Sequence, residues 1–464
     1  MNILLCSTYE LGHQPLALAQ PAAHLIAGGF EVACRDLAVQ SLERALVEQS
    51  DLVGISIPMH TAIRLGARLG KQVKAVNPRA HLCYYGLYAS LNADYLFEQG
   101  ADSVIGGEFE GPLVHLAKRV ATGDQRAAEG SIIGVQLAPR VDGTPFLGRQ
   151  QFLVPARHLL PPPERYSHLQ WGDLRRTTGY VEASRGCAHK CLHCPIPAVY
   201  EGRVRIIQED VILQDVAVLV GLGAGHIDFG DPDFLNGVRH SLRVVRRMHD
   251  EFPDVTFNFT TKIEHIVQHR DAVAELAQLG CVFVTSAVEA LSDHILENLE
   301  KGHTEGDVRA AKRIADEVGV VIRPTFVAFT PWTTAEDYLH VMDVVEELGW
   351  IDNVAPIQYA IRLLVPPGSC LLGKPYMDEH LTTFNHELFT YGWRHPDPAM
   401  DDLCHHAGAL ARAAEASKED PRLTFYRLKG LALAAVSGRP VPVGALGALP
   451  ERGATPSLSE PWFC

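Results

Sequence analysis

Residues 184–194 read SRGCAHKCLHC, and this stretch decides how the rest of the chain is interpreted. It holds three of the ten cysteines, Cys187, Cys191 and Cys194, whereas the other seven are scattered singly. Thiolates are ligands for soft metal centres, so such a cluster predicts a metal site. The position of the cluster in the fold determines what kind of site it is.

Length and composition are those of a globular protein, and the charge makes a small-molecule substrate the expectation. At 464 residues the chain exceeds a usual single core, so we expect two domains and an appendage. Its net charge of -14 gives no reason to expect nucleic acid or an anionic membrane as a partner. The N-terminus has no basic segment and no apolar stretch reaches spanning length, so we expect a cytoplasmic protein whose cysteines are thiols or metal ligands.

Residues 1–122 alternate short apolar runs with helical patterns. Predicted strands are 2–6, 31–34, 52–57, 81–85 and 103–105, and predicted helices are 16–27, 62–76, 93–98 and 112–120. Five such units predict a doubly wound parallel sheet, with its ligand beyond the carboxyl ends of the strands. No G-x-G-x-x-G follows the first strand, so a nicotinamide or flavin dinucleotide is not expected.

Residues 123–176 form a predicted ordered connector, punctuated by glycines and closed by three prolines at 161–163. Asp142-Gly143 predicts a hairpin turn within it, because glycine tolerates the positive φ that such turns need. From residue 177 to 366 a second βα series follows, with predicted strands at 180–183, 227–229, 255–260, 282–286, 320–327 and 354–361. Six units predict a partial (β/α)6 barrel, whose active site belongs at the carboxyl ends of the strands.

The three cysteines come directly after the first strand of this barrel, at its predicted mouth. A cluster of four irons normally takes four thiolates, so three leave one iron without a protein ligand. An open metal position is where a small molecule binds and is activated. The alternative is a zinc site closed by His189 or His193, although such sites usually bring a second pair of ligands, and none lies nearby.

The motif Arg185-Gly186-Cys187 with Cys191 and Cys194 resembles the radical S-adenosylmethionine (SAM) superfamily, over residues 177–366. The resemblance implies a [4Fe-4S] cluster on the three cysteines and SAM chelated at the open iron. It also implies a reductant such as flavodoxin or ferredoxin. His193 stands where the family usually has an aromatic residue beside the adenine, and a planar imidazole would stack similarly.

The same resemblance implies roles for residues on later strands. Gly230, Asp231 and Asp233 follow the second strand, where the family places groups against the SAM ammonium; helix capping is the alternative for the two aspartates. Glu289, with Lys301-Gly302 downstream, resembles a segment that contacts ribose or the SAM amino acid. Arg323 would face the SAM carboxylate, or else belong to a structural ion pair.

The turn at residues 106–111 and the stretch 85–90 resemble the cobalamin-binding domain that often precedes a radical SAM barrel. The resemblance implies cobalamin near Tyr85, Gly86 and Glu108. No Asp-x-His-x-x-Gly follows the first strand, so no lower-axial histidine is indicated. The alternative is an inherited domain that only packs on the barrel.

Residues 367–464 predict a mainly helical extension, with a polar stretch at 384–393, helices near 401–416 and 423–436, and a mobile tail. The final Trp462-Phe463-Cys464 resembles a radical SAM family whose tails run Cys-Sec-Ala-Glu-Pro or Cys-Cys-Ala-Glu-Pro. We hypothesise that the chain is truncated at a selenocysteine codon after Cys464. Through this resemblance Cys464 is a candidate catalytic ligand for a thiophilic centre such as trivalent arsenic.

Taken together, the sequence predicts an α/β protein: a cobalamin-binding-like doubly wound sheet (1–122), a connector (123–176), a radical SAM partial barrel (177–366) and a helical extension (367–464). The predicted activity is reductive cleavage of SAM for alkyl, most simply methyl, transfer with cobalamin to a small molecule. One alternative is transfer of the 3-amino-3-carboxypropyl group of SAM to trivalent arsenic or another thiophilic substrate. The other is a non-catalytic, zinc-stabilised binding protein. The sequence predicts neither the substrate nor the oligomeric state.

Overall fold

The computed structural model describes residues 1–122, 135–137, 145–441 and 453–460. The N-terminal sheet contains β1 (Asn2–Ser7), β2 (Glu31–Asp36), β3 (Leu52–Ser56), β4 (His81–Tyr85), β5 (Ser103–Ile105) and β6 (Val135–Leu137). Its helices are α1 (Leu16–Ala27), α2 (Arg44–Gln49), α3 (His60–Val76), α4 (Leu87–Leu91), α5 (Ala93–Glu98) and α6 (Glu110–Ala121).

The strand order of this sheet is β2-β1-β3-β4-β5-β6, and only β6 is antiparallel to its neighbour. Strands β3 and β4 are apolar and almost completely buried, as expected for parallel strands covered on both faces. The order reverses between β1 and β3, which places a crevice beyond their carboxyl ends. All five predicted strands agree with the structure to within two residues at each end.

The remaining strands are β7 (His168–Trp171), β8 (Leu174–Val181), β9 (Ser184–Gly186), β10 (Val204–Ile206), β11 (His226–Phe229), β12 (Thr256–Thr260), β13 (Cys281–Glu289), β14 (Val321–Phe326), β15 (Leu381–Asn385), β16 (Thr390–Trp393) and β17 (Ser457–Leu458). Seven of them form the second sheet, a curled half-barrel in the order β14-β13-β12-β11-β8-β7-β17. Strands β8, β11, β12, β13 and β14 are parallel, and they present their carboxyl ends on one side.

Helices cover the outer face of the half-barrel and form the C-terminal extension. They are α7 (Ile196–Tyr200), α8 (Glu209–Gly221), α9 (Val238–Glu251), α10 (Ile263–Gln268), α11 (Arg270–Gln278), α12 (Asp293–Asn298), α13 (Glu305–Val318), α14 (Ala335–Glu347), α15 (Pro375–Asp378), α16 (Pro398–Ala416) and α17 (Pro421–Ser437). Short 3-10 helices occupy Arg157–Leu159, Pro163–Arg165, Phe234–Gly237, Ile351–Asn353 and Pro356–Ala360. In the described parts of the chain no helix is long and apolar enough to cross a membrane.

The α/β class and the arrangement of two sheets are confirmed, but the sixth barrel strand, predicted at 354–361, is wrong. Two 3-10 helices stand there instead, and Pro356 starts the second because it lacks the N–H that a strand must donate. Side chains satisfy the edge of β14 in its place. The Gln358 side chain accepts from the backbone N–H of Phe326 at 3.0 Å, and Asn353 donates to the Ile322 carbonyl at 2.9 Å.

The C-terminal segment 453–460 crosses the open side of the half-barrel. Near β14, Thr455 donates to the carbonyl of Asp352 at 3.1 Å. At the opposite end of the sheet, β17 pairs antiparallel with β7. The tail therefore closes the side that the missing sixth strand leaves open. The predicted turn at Asp142-Gly143 and the terminal Cys464 lie outside the described residues, and the predicted domain boundaries stay predictions.

Candidate active site between the two sheets

The three-cysteine loop begins directly after β8, where β9 pairs antiparallel with β10. Gly186 has a φ of 72°, and a side chain there would run into the Arg203 carbonyl. Only glycine accommodates both constraints, because the left-handed region strains other residues. This turn carries the chain from the strand to Cys187, Cys191 and Cys194 at the barrel mouth.

The three thiols influence one another electrostatically; Cys187 and Cys191 are buried, and Cys194 is half-buried. Burial raises the pKa of Cys194 to about 12, and the nearby sulfurs of Cys191 and Cys187 add to the effect. Burial also raises the pKa of Cys187, although Asn236 donates to its sulfur from 3.6 Å. Without metal the thiols of Cys187 and Cys194 are therefore protonated, so metal binding must release their protons. Three soft ligands on one loop fit a [4Fe-4S] cluster with one open iron.

Lys301, Glu289 and His193 meet beside this loop. Lys301 donates to Glu289 at 3.0 Å, and the Nε2 of His193 lies 3.1 Å from the same carboxylate oxygen. Burial alone would raise the pKa of Glu289, but the Lys301 ammonium and His193 hold it well below its usual value. Glu289 also has a φ of 66°, which costs about 1–3 kcal/mol for such a residue and is typical of functional sites.

A second network fixes the other histidine of the loop. Lys262 lies 3.2 Å from Nδ1 of His189, whose Nε2 lies 3.2 Å from Nε2 of His265, which in turn contacts Asp233 at 3.0 Å. Both ring nitrogens of His189 therefore have partners in this network, and His189, Asp233 and His265 lie close enough together to form a candidate metal-binding group of their own. The Nδ1 of His193 has no hydrogen-bond partner in the described part of the chain.

The two aspartates after β11 have structural partners. Asp231 accepts from the Ala183 backbone at 2.8 Å and from the Ser184 hydroxyl at 2.5 Å, so it holds the chain that enters the cysteine loop. Asp233 caps the following helix by accepting from the Leu235 backbone at 3.1 Å. Asp231 and Gly230 line the central cavity, whereas Asp233 lies in the histidine network.

A cavity of about 690 Å³ lies between the carboxyl ends of the two sheets. On the N-terminal side it is lined by Glu10, His13, Pro58, Met59, Gly86 and Phe109, and on the barrel side by Tyr180, Cys194, Asp228, Asn258, Thr260, Thr285 and Arg323. Residues 457–460 of the tail complete the wall. This volume is within the range of small-molecule sites, and loops from both predicted cofactor regions reach it.

Only one of the three residues predicted to contact cobalamin faces this cavity. Gly86 lines it with a φ of 106°, and a side chain there would press on the Ile57 carbonyl. Tyr85 points into the core of the N-terminal sheet and donates to the Ala17 carbonyl at 2.8 Å. Glu108 is fully buried and accepts from the Tyr200 hydroxyl at 3.0 Å. Because Gly86 has no side chain, this part of the cavity wall leaves room for a ligand beside the N-terminal sheet.

Arg185 joins the cysteine loop to the N-terminal sheet through a buried ion cluster. Its guanidinium lies 2.6 Å from Glu110, 3.4 Å from Glu108 and 2.7 Å from Glu182. It also lies 5.1 Å from the ring centroid of Phe109. Burial raises the pKa of Glu108 to about 7 despite the guanidinium. Sequence reasoning missed Glu110, because no local pattern marks a contact across 75 residues.

Asp228 gives the cavity a pH-dependent group. Asn258 donates to Oδ1 of Asp228 at 2.6 Å, and Oδ2 of Asp228 lies 3.4 Å from Nε2 of His13. Burial raises the pKa of Asp228 to about 7 and lowers that of His13 to about 4. Both side chains are therefore neutral between these values, and the Asp228 proton can bond to His13.

The Asp228→Asn variant should consequently be less sensitive to pH. A carboxyl whose pKa is higher in the folded state than in the unfolded state stabilises the fold in its protonated form. This contribution is fully present below the unfolded-state pKa and is lost as pH rises through the folded-state pKa. From pH 5 to 7 the wild type should lose about 2–3 kcal/mol of unfolding free energy relative to the variant. Urea denaturation at the two pH values measures this, with Asp250→Asn as the exposed control. Parallel losses in wild type and Asp228→Asn would contradict the assigned pKa.

Comparisons with known proteins agree with this geometry. Residues 181–345 match the radical SAM superfamily and residues 3–117 match the B12 binding domain. An uncharacterized methyltransferase of Pyrococcus horikoshii is 23% identical over 220 residues, 47% of this chain and 44% of that protein. A putative methylthiotransferase of Methanocaldococcus jannaschii is 22% identical over 199 residues, 40% of this chain and 42% of that protein. The chain thus matches less than half the length of these curated relatives.

Two solved structures share the fold over most of the chain. The cobalamin-dependent SAM radical enzyme OxsB superposes with a TM-score of 0.73 at 13% identity, covering 94% of this chain and 73% of OxsB. The radical SAM methyltransferase TsrM from Kitasatospora setae, solved with cobalamin and a [4Fe-4S] cluster bound, gives a TM-score of 0.59 at 18% identity. It covers 75% of this chain and 70% of TsrM.

Proposed function

The chain belongs to the radical SAM superfamily and carries a B12 binding domain ahead of its barrel, and on this premise we propose that it transfers a methyl group to a small molecule. The cofactors that the two domains imply are a [4Fe-4S] cluster, SAM and cobalamin. The substrate would bind in the cavity between the two sheets.

One observation carries this proposal: both cofactor regions open on the same cavity. Gly86 and Phe109, from the predicted cobalamin side, and Cys194, from the cysteine loop, line one space of about 690 Å³. Groups held on its two sides are therefore close enough to share one substrate. A cobalamin domain that only packed on the barrel would not need a common cavity.

The chain's own residues support this chemistry. Cys187, Cys191 and Cys194 would hold the cluster, and the buried Lys301 ammonium beside Cys191 and Cys194 would offset their negative charge. Asp231 fixes the entry to the loop through its two hydrogen bonds. When bound, the cluster supplies the electron for reductive cleavage of SAM, and cobalamin supplies a carrier for the methyl group.

The test uses anaerobically purified full-length protein, reconstituted with iron, sulfide and hydroxocobalamin. We expect about four irons per chain, from the cluster type, with bound cobalt and visible sulfur-to-iron absorbance. Dithionite and SAM should then release 5′-deoxyadenosine or S-adenosylhomocysteine, and flavodoxin or ferredoxin should replace dithionite. Stoichiometric zinc without visible absorbance would instead favour the non-catalytic binding protein.

The second candidate is transfer of the 3-amino-3-carboxypropyl group to a thiophilic centre such as trivalent arsenic. The observation that favours it is the tail, because Ser457 to Glu460 line the cavity only a few residues before the soft ligand Cys464. The two reactions leave different nucleosides, since carboxypropyl transfer releases methylthioadenosine. Mass spectrometry of the reaction mixture separates them. The resemblance of the tail to the Cys-Sec-Ala-Glu-Pro families stays a prediction.

Cys464→Ala should separate the tail from the cluster. If Cys464 binds a thiophilic substrate, the variant should keep the absorbance of the cluster and the cleavage of SAM but lose alkylated product, since the soft ligand is gone. Arsenite with SAM is the assay substrate, and Cys370→Ala is the control. Undiminished product in Cys464→Ala would remove the tail from the mechanism.

A further inference from the structure

The barrel interior contains a cation, Arg323, most of whose hydrogen-bond donors have no partner among the described residues. Arg323 lies in the middle of β14 and lines the cavity. Within the described residues its one hydrogen bond is to the Pro456 carbonyl, at 3.2 Å, and no carboxylate pairs with it there. Burial lowers its pKa to about 10 with no acidic group to offset the effect. A guanidinium has five N–H donors, so most of them have no acceptor in this part of the chain.

Neighbouring side chains add donors to the same level of the barrel. Arg323 is in register with Thr285, and Thr285 is in register with Thr260. Both threonines line the cavity, and neither hydroxyl makes a hydrogen bond within the described chain. Gln358 lines the cavity and accepts from Phe326 with its side-chain oxygen, and its amide N–H groups donate to no group in the described part of the chain. A cation, two hydroxyls and an amide thus converge on one space.

This level lies below the barrel mouth. Glu289, beside the cysteine loop, is in register with Phe326, three residues further along β14 than Arg323. Three strand residues correspond to about 10 Å. SAM chelated at the cluster would occupy the mouth, so a group bound at Arg323 would lie beneath it. Arg323 is therefore better placed to bind a group of the substrate than the SAM carboxylate, which the open iron would hold at the mouth.

We propose that Arg323, Thr260, Thr285 and Gln358 bind an oxyanionic group of the substrate, a carboxylate or a phosphate. The inference rests on the proposed function, because it takes this cavity to be the substrate site. Such anions prefer a guanidinium flanked by hydroxyl and amide donors, since each contributes a charge-assisted hydrogen bond. The substrate class is a small molecule that carries a negative group and is alkylated elsewhere on its frame.

The test measures binding to the reconstituted full chain by 19F NMR. The probe is 4-fluorobenzoate, with the neutral 4-fluorobenzamide for comparison and inorganic phosphate as a competitor. Wild type should bind the benzoate and not the benzamide. Arg323→Gln should weaken benzoate binding about 10- to 100-fold, as expected for loss of a charged hydrogen bond. Arg323→Lys should retain part of it, and the exposed control Arg68→Gln should match wild type.

Phosphate distinguishes the two kinds of anion. Displacement of the benzoate by phosphate would mark the site as suited to phosphate esters, and its failure would mark a carboxylate site. Equal binding of benzamide and benzoate, or full benzoate binding by Arg323→Gln, would overturn the proposal. Circular dichroism and cluster absorbance check folding, and Thr285→Val tests the same level should Arg323→Gln not fold. SAM cleavage by wild type is measured separately, so its absence counts against the proposed function and not against the anion site.

Discussion

Cys187→Ala is expected to abolish the iron–sulfur cluster and, with it, all reductive cleavage of SAM. The loop offers three thiols for four irons, so no spare ligand remains to replace a lost one. Iron, sulfide and visible absorbance should fall to background after reconstitution, and 5′-deoxyadenosine should not exceed that of the protein-free control. Cys191→Ala and Cys194→Ala should behave alike.

The matched control is Cys370→Ala, since Cys370 is a free, half-buried cysteine outside the loop. It should retain the iron content and cleave SAM as the wild type does. Asn236→Leu provides a graded variant, because it removes the hydrogen bond to the Cys187 sulfur without removing a ligand. It should keep the cluster but shift its reduction potential downward. A Cys187→Ala protein with full iron content would refute the assignment of the three cysteines.

Arg185→Met should cause the largest loss of stability. The side chain is almost completely buried among Glu108, Glu110 and Glu182, and removing one partner of a buried ion cluster leaves the other charges uncompensated. Such losses are typically about 3–5 kcal/mol. Because Glu108 lies between β5 and α6 and Glu110 is the first residue of α6, the contact between the N-terminal unit and the cysteine loop should weaken as well. Chemical denaturation and limited proteolysis of the full chain measure the two effects.

A rescue variant distinguishes lost charge balance from lost packing. Adding Glu108→Gln and Glu110→Gln to Arg185→Met removes the two carboxylates that the arginine neutralised, so part of the stability should return. Arg185→Lys keeps the charge but not the forked geometry, and should fall between wild type and Arg185→Met. If the triple variant is no more stable than Arg185→Met, the contribution of Arg185 is packing against Phe109 and Phe152.

Much of the fold could be predicted from sequence because strand and helix periodicity is local. The five N-terminal strands and the second to fifth barrel strands follow from apolar runs between turn residues, whereas the first barrel strand, predicted at 180–183, begins at Leu174 and ends at Val181. The strand predicted at residues 354–361 did not form. An apolar run predicts burial, but it does not show whether the neighbouring strand needs another strand as its partner. Pro356 starts a 3-10 helix there, and the side chains of Gln358 and Asn353 make hydrogen bonds at the edge of β14 in place of a sixth strand.

Within the candidate site, the residues predicted around the loop separate into groups that sequence could not distinguish. His193, Glu289 and Lys301 come together, whereas Asp231 and Asp233 serve the chain that leads to the loop and the helix that follows. Glu108 points away from the cavity, towards Arg185 of the cysteine loop and the hydroxyl of Tyr200. Which of several polar residues after a strand faces the ligand depends on partners elsewhere in the chain.

The sequence by itself determined the order of the two α/β units, the spacing of the three cysteines and the cofactors that the two domains imply. These depend on spacing and periodicity, which are properties of adjacent residues. Only the tertiary structure decided that both sheets open on one cavity, that the tail closes the barrel, and that Arg323 meets no carboxylate among the described residues. Those facts arise where segments 75 or more residues apart meet, and burial there changes charge and hydrogen bonding in ways that no local pattern records.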